Sequence, residues 1–412
     1  MKAIVQSGDR WNGPVSGRHH TDFSQFPRGG GNVVAKRTEN ITSFIVMDVL
    51  EKAHDLERNG IDVIHLEVGE PDFDTPSCVK AAACRALDEG HTHYTHSLGL
   101  LELREAICRY YRNQYGVSIE PGQIIVTSGT SPAMLLLFSA LLDKGDQVII
   151  SDPHYACYPN FIRYLEGEAV CVEVYEADGF QYNPEAIRQK ITERTRAIFI
   201  NSPSNPTGNL LSSERMRDIA ALGPWIISDE IYHGLVYEGQ EHSILEFTDR
   251  AFVLNGFSKL FAMTGLRLGY LIAPKAFIRP IQKLHQNFFI SANSMVQHAG
   301  IAALTEAGAD VARMKTIYNE RRKYMIGRLK AMGFGITVEP TGAFYVFANA
   351  KHLSTDSYKL AFDILDKAHV GVTPGIDFGK NGEGYLRFSY ANSLEKITEG
   401  MNRLERYLRR SG

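Results

Sequence analysis

Trp225-Ile226-Ile227-Ser228-Asp229-Glu230-Ile231-Tyr232 is a short apolar run that ends in two carboxylates. Consecutive apolar residues without alternation fit a strand buried on both faces, as in a parallel sheet. A carboxylate at the C-terminal end of such a strand sits where open α/β sheets place ligand-binding groups. A strand-end Asp also serves commonly as a helix N-cap.

The pattern repeats on either side. Ile124-Ile125-Val126, Gln147-Val148-Ile149-Ile150, Ala197-Ile198-Phe199-Ile200 and Phe252-Val253-Leu254 read as strands. Helical stretches at Met134 to Leu142 and near Tyr158 to Leu165 separate some of them. Strand-helix alternation of this kind means a mainly parallel α/β sheet. Upstream, Ile45, Leu50, His54 and Leu56 begin a helical pattern that stops at Asn59-Gly60, a C-cap signal. Val63 to Leu66 is a short strand entering a loop, Gly69 to Pro76, punctuated by Gly and Pro. Downstream, Val311, Met314, Tyr318, Met325 and Leu329 recur at helical spacing and mark a long amphipathic helix. After it, Phe344 to Phe347 and Tyr385 to Phe388 are short strands in an α+β region.

A chain of 412 residues is too long for one ordinary core and favours two domains, or a large one with a smaller one. Apolar residues make up 44% and charged residues 22%, as in globular proteins. A net charge of -3 gives no reason to expect nucleic acid or an anionic membrane as partner. Five widely spaced cysteines without a CxxC pair suggest neither a disulfide framework nor a zinc ribbon. No apolar run reaches membrane-span length and no secretory h-region is present. The expected address is the cytoplasm. Residues 1 to 38 are polar, rich in Gly, Arg and His, and without period; they read as a flexible arm.

Asn255 to Tyr270 holds one lysine, Lys259, in mostly small or apolar surroundings, with Ser258 beside it and Arg267 eight residues on. Desolvation lowers an ammonium pKa and exposes a nucleophilic amine, which is how Schiff-base lysines arise. Arg267 and Ser258 together suit a dianionic group such as a phosphate. The string fits an anchor for a phosphorylated aldehyde, commonly pyridoxal phosphate, and equally a surface loop with a solvated lysine. Neighbouring motifs favour the anchor. Asp229 would keep a pyridine nitrogen protonated, and Tyr232 could donate to the ring's 3-oxygen. Asn205, in Asn201-Ser202-Pro203-Ser204-Asn205-Pro206-Thr207-Gly208, lies in a loop made rigid by its prolines. Val126-Thr127-Ser128-Gly129-Thr130-Ser131 joins a strand to a helix through small residues that let N–H groups approach an anion. Tyr155, at a strand end, could stack on a planar ring. Arg387, alone among apolar neighbours on a strand, could hold a carboxylate bidentately. His91-Thr92-His93-Tyr94-Thr95-His96 has ligand-like spacing but no accompanying carboxylate or Cys cluster, so no metal is expected.

In this order these strings resemble the class I/II aminotransferases, fold-type I pyridoxal-phosphate-dependent enzymes, of the aspartate, aromatic and alanine branch. The resemblance runs from about Ile41 to Leu408. It also includes Gly69-Glu70-Pro71-Asp72-Phe73, Tyr94 ahead of Leu103-Arg104-Glu105-Ala106-Ile107, Gly342-Ala343-Phe344-Tyr345, and Pro374-Gly375 with Phe378-Gly379. It implies a large domain, residues 76–310, with a seven-stranded-type sheet that binds pyridoxal 5'-phosphate. Residues 39–75 would join residues 311–412, a bridging helix and C-terminal part, in a smaller α+β domain.

The implied activity is ping-pong transfer of an amino group from an L-amino acid to a 2-oxo acid such as 2-oxoglutarate. The alternative on the same fold is a β-elimination C–S lyase or a cyclopropane-forming synthase. Lys259 would be the Schiff-base lysine and the proton carrier. Asp229 would meet the pyridine nitrogen, Asn205 and Tyr232 the 3-oxygen, and Tyr155 the ring. Gly129, Thr130, Ser131, Ser258 and Arg267 would hold the phosphate. Tyr94 would reach the phosphate of a neighbouring subunit, which implies a homodimer with shared sites. Gly69, Arg387 and Asn205 would hold the substrate α-carboxylate. Two positions depart from the family pattern. Gly256 stands where many relatives have a phosphate-contacting serine. Ser131 stands where some aspartate-using bacterial relatives carry a lysine.

Overall fold

The apolar runs around Ile149, Ile198, Ile227 and Val253 form the middle of one sheet, and each of these residues is essentially inaccessible to solvent. A computed structural model describes residues 34–411 of the chain. The arm read from residues 1 to 38 lies mostly outside the described residues. Its last part differs from the reading, because Lys36–Glu39 is a single helical turn.

Twelve strands occur among the described residues. The first, β1 (Ile64–His65), precedes the main sheet. That sheet comprises β2 (Ile124–Thr127), β3 (Gln147–Asp152), β4 (Glu168–Glu173), β5 (Thr195–Asn201), β6 (Trp225–Asp229), β7 (Ala251–Gly256) and β8 (Gly269–Ile272). Its spatial order is β2-β8-β7-β6-β5-β3-β4. Pairing is parallel from β7 to β4, whereas β8 runs antiparallel to both β2 and β7. Register decides where chemistry can occur. Asn201 pairs with Asp229, Asp229 with Leu254, and Gly269 with both Gly256 and Thr127. The carboxyl ends of β2, β5, β6 and β7 therefore open at one edge, the usual ligand side of an open α/β sheet.

Two smaller sheets complete the fold. β1 pairs in parallel with β10 (Val370–Gly371). β9 (Tyr345–Asn349), β12 (Tyr385–Ser389) and β11 (Thr373–Pro374) pair antiparallel, with Arg387 between Thr373 and Phe347. The long helix is Gly308–Ala331, with Met314, Tyr318, Met325 and Leu329 buried as the spacing predicts. It also buries Arg321, which reaches Asp72 at 2.7 Å and ties the Gly69–Pro76 loop to the helix.

The N-terminal helix is Ile45–Arg58, and Gly60 follows its end with φ +82°, where a side chain would be strained. Its buried residues are Val46, Val49 and Ala53; of the positions read from the sequence, Ile45 and Leu56 pack half-buried against this core, whereas Leu50 and His54 do not. His54 is exposed. Val49 and Ala53 pack with Val63 and Leu365, while Leu50 faces a cavity.

The five cysteines are free thiols. Among the described residues no helix is long and apolar enough to cross a membrane. Ile198, at the centre of β5 and 0% exposed, should tolerate truncation poorly. Ile198→Ala is expected to lose about 2–5 kcal/mol of stability, read as a lower denaturation midpoint.

Candidate active site

The carboxyl edge of the main sheet and residues from both ends of the chain enclose a cavity of ≈ 350 Å³. Lys259, Asp229, Tyr232, Asn205, Tyr155, Thr130, Ser131, Ser258, Arg267, Arg387 and Gly69 all line it. Gly129 lies just behind: a Cβ there would sit 2.6 Å from Arg267 Nη2. Tyr94 does not reach this cavity and is 81% exposed.

Lys259 follows β7 closely. Its Nζ donates to the Gly69 carbonyl at 2.6 Å and lies 5.8 Å from the Phe344 ring. Protein excludes water from most of its surroundings and leaves the cavity side open. This desolvation lowers its pKa to about 8; Glu70 and Asp229 oppose the shift, whereas Arg387 and Arg267 reinforce it. An amine with such a pKa is substantially neutral near pH 8.

Asp229 ends β6 and is 4% exposed. Burial raises its pKa to about 6, although two donors stabilise the carboxylate. Tyr158 Oη donates at 2.7 Å and the Ile231 N–H at 3.1 Å. The second bond resembles local capping, but no regular helix follows. Tyr158 was not anticipated, although Asp152-Pro153-His154-Tyr155-Ala156-Cys157-Tyr158 contains it. Tyr155 packs edge-on against Tyr158 and Phe44, at 5.2 and 5.8 Å between centroids.

Arg387 is 2% exposed. Its Nη1 donates to Asn205 Oδ1 at 2.9 Å, and its Nη2 donates to the Glu67 carbonyl and to Thr373 Oγ1. The guanidinium carbon is 4.4 Å from the Tyr345 ring centroid and 4.9 Å from that of Phe378. Its buried Nε has no hydrogen-bond partner among the described residues. Tyr345 Oη also lies 2.8 Å from Tyr232 Oη. A Cβ on Gly69 would come within 1.9 Å of Tyr345 Oη, so the absence of a side chain there permits this packing. The Asn205 backbone N–H donates to Asn201 Oδ1 at 2.8 Å, and the Asn201 side chain donates to the Asp229 carbonyl at 2.9 Å.

At the opposite end, the helix Thr130–Leu141 begins after Gly129 without a side-chain cap. Arg267, with φ +53°, donates to the Thr264 carbonyl at 2.9 Å and crosses Gly129. Open helix N–H groups beside a guanidinium and the Ser258 hydroxyl form an anion cradle. At Gly256 a Cβ would lie 3.0 Å from the Leu268 carbonyl oxygen, 3.1 Å from Gly269 Cα and 3.3 Å from Ile231 Cδ1. A serine there would require these neighbours to give way.

The remaining wall is apolar: Phe44, Val46, Met47, Leu50 and Val68. No sequence motif marks it, because the N-terminal helix reaches the site only through the folded topology. Glu70 and Thr264 also line the cavity and hydrogen-bond to each other. Among the described residues, the one cluster of three metal-capable side chains is His54, Glu57 and His65, outside the cavity. Buried Glu67 holds His65 Nδ1 at 2.6 Å there, and this hydrogen bond raises the histidine pKa to about 9 despite desolvation.

The donor set fits pyridoxal phosphate. Asp229 is a buried carboxylate with no ion-pair partner among the described residues, which a pyridinium would supply. The cradle suits its phosphate, and Lys259 suits its aldehyde.

The sequence matches the profile of aminotransferase class I and II over residues 61–404. It is 42% identical to a (5-formylfuran-3-yl)methyl phosphate transaminase of Methanocaldococcus jannaschii, covering 91% of this chain and 100% of that one. It is 44% identical to an aspartate aminotransferase of Pyrococcus horikoshii, covering 91% and 97%. The fold superposes on the aspartate aminotransferase of Thermus thermophilus with maleate at TM-score 0.88, with 37% identity over 91% of this chain and 100% of that one. The chain therefore belongs to the class I and II aminotransferases and is a pyridoxal-phosphate-dependent aminotransferase of fold type I.

Proposed function

We propose that this aminotransferase works by a ping-pong mechanism, with 2-oxoglutarate and glutamate as one of its two substrate pairs. The observation that carries the site assignment is the convergence of Lys259, Asp229 and Arg387 on one cavity. Pyridoxal phosphate, when bound, supplies an aldehyde that captures amines and a positively charged ring that withdraws electrons. Arg267, Ser258, Thr130, Ser131 and the N–H groups after Gly129 would hold its phosphate. Asp229 would hold the ring nitrogen, Tyr155 would face the ring, and Tyr232 with the Asn205 amide would meet the 3-oxygen.

Lys259 would hold the cofactor through its aldehyde. Its lowered pKa favours the neutral amine required for that bond and for carrying a proton once an incoming amino acid has displaced it. The Gly69 carbonyl orients the amine. Arg387 takes the substrate α-carboxylate through its free donors while Asn205 steadies the guanidinium. Lys259 would take up and return the proton of the substrate α-carbon, which the electron-withdrawing ring of the bound cofactor would make acidic. The second half-reaction reverses these roles with a 2-oxo acid.

The apolar wall and Ser131 favour donors with apolar side chains over aspartate. Tyr94 supports a homodimer, since a residue so exposed in its own protomer is free to reach a partner's phosphate. Residues 76–310 act as the cofactor-holding domain, and the free thiols suit a reducing cytoplasm.

The test is to incubate holoenzyme with single amino acids and 2-oxoglutarate. Glutamate should accumulate with the matching 2-oxo acid; pyruvate and ammonia formed without an acceptor would overturn the assignment. Lys259→Ala should remove both the imine absorbance and turnover. Arg387→Leu should lower kcat/KM by roughly 30- to 5,000-fold, equivalent to about 2–5 kcal/mol, because a buried charged contact is lost. Tyr158→Phe removes a donor that stabilises ionised Asp229, so the Asp229 pKa should rise. Cofactor release on acidification should then begin at a higher pH than in the parent, measured by cofactor absorbance.

A further inference from the structure

The helix Ile45–Arg58 starts after Phe44, which offers no side-chain cap. The first N–H groups of a helix have no partner within it. Here a distant residue supplies one. Asp377 Oδ1 accepts from the Ile45 N–H at 3.0 Å, and its Oδ2 accepts from the Val46 N–H at 3.2 Å. A carboxylate at this end is also favoured by the helix dipole. Asp377 is 9% exposed, so little water competes for these bonds.

The turn that carries Asp377 is fixed independently of the helix. The Ile376 N–H donates to Ser357 Oγ at 3.1 Å. The Phe378 carbonyl accepts from the His154 N–H at 2.8 Å, and the Phe378 ring packs against Arg387. The first two N–H groups of the helix are thus bound to the floor of the site through one carboxylate, beside the apolar packing of Phe44 on Tyr155 and of Val49 on Val63 and Leu365. That start carries Phe44, Val46, Met47 and Leu50, the apolar wall of the cavity. Met47 is 52% exposed and gains little anchorage of its own.

We propose that Asp377 is a positioning residue that holds the N-terminal helix as a preformed wall for the substrate side chain. This rests on the assignment of the cavity as the substrate site. Among the described residues Asp377 makes no ion pair with Arg387, although the Arg387 charge is felt at its carboxylate; both its oxygens are bonded to the helix N–H groups, so its main influence falls on the wall that faces the side chain.

The experiment uses the holoenzyme and its Asp377→Asn and Asp377→Ala variants, with leucine and alanine as donors. On this proposal the longer leucine side chain would meet the wall and the alanine methyl would fall short of it. Asp377→Ala should raise KM for leucine about tenfold, the scale of a lost helix cap. KM for alanine and both kcat values should stay within about twofold of the parent. Amide hydrogen exchange should accelerate across residues 45–50. Asp377→Asn keeps one acceptor and should fall between parent and Ala variant; if the Ala variant does not fold, the Asn variant carries the test. Unchanged exchange with unchanged leucine KM would overturn the proposal. So would an equal rise for both donors, which would place the effect on Arg387 through Phe378. Failure of the site assignment is distinguishable, since the Lys259→Ala and Arg387→Leu variants would then retain parental activity.

Discussion

A carboxylate buried at the end of a central strand requires compensation, and Asp229 receives only part of it from protein. Two hydrogen bonds stabilise its charge, yet burial still holds its pKa near 6. The missing component is a cation, and the cavity beside it has room for a ring that carries one. The other groups follow from this placement. Parallel register aligns Asn201 with Asp229, and the chain leaving β7 brings Lys259 to the same edge. Glycines at the β2–helix junction and in β8 allow Arg267 to approach the helix N-terminus. The site is a consequence of sheet register before it is a consequence of any one motif.

Much of this was legible from residue order. β3, β5, β6 and β7 are runs of apolar residues buried on both faces, a strong signal in a single sequence. β4 escaped notice because it is an edge strand with Glu at both ends and several exposed positions. β8 was absorbed into the lysine motif, since its four residues follow Arg267 almost directly. The helices Lys275–Phe288 and Ser294–Glu306 were not distinguished. The first contains Pro280, and the second is so extensively buried that its apolar residues form no narrow stripe.

Within the site, legibility tracked chemical distinctiveness. Lysine, aspartate and arginine among apolar neighbours stand out in a sequence, and the fold brings them to one cavity. Tyr158 and Tyr345 do not stand out, because buried tyrosines are common core residues. Their roles depend on where their hydroxyls point, which only tertiary packing decides. The wall from the N-terminal helix was invisible for a related reason. Its contact with the site requires a closure of more than 300 residues, to which the bonds of Asp377 and the packing of Val49 on Leu365 both contribute. Leu50 was read into the core-facing stripe of that helix because the helix has two apolar faces, one on the core and one on the cavity.

The packing of Arg387 between Tyr345 and Phe378 has a consequence for how substrates are told apart. A flexible arginine loses rotational freedom when it grips a ligand, and that loss weakens binding. Here the aromatic contacts and three acceptors remove that freedom when the chain folds. On the proposed assignment of Arg387 to the α-carboxylate, the handle shared by every α-amino acid would be gripped without help from the side chain. Discrimination among donors would then rest with the opposite wall, and substitutions in one helix would alter donor preference while the grip on the common handle stayed intact.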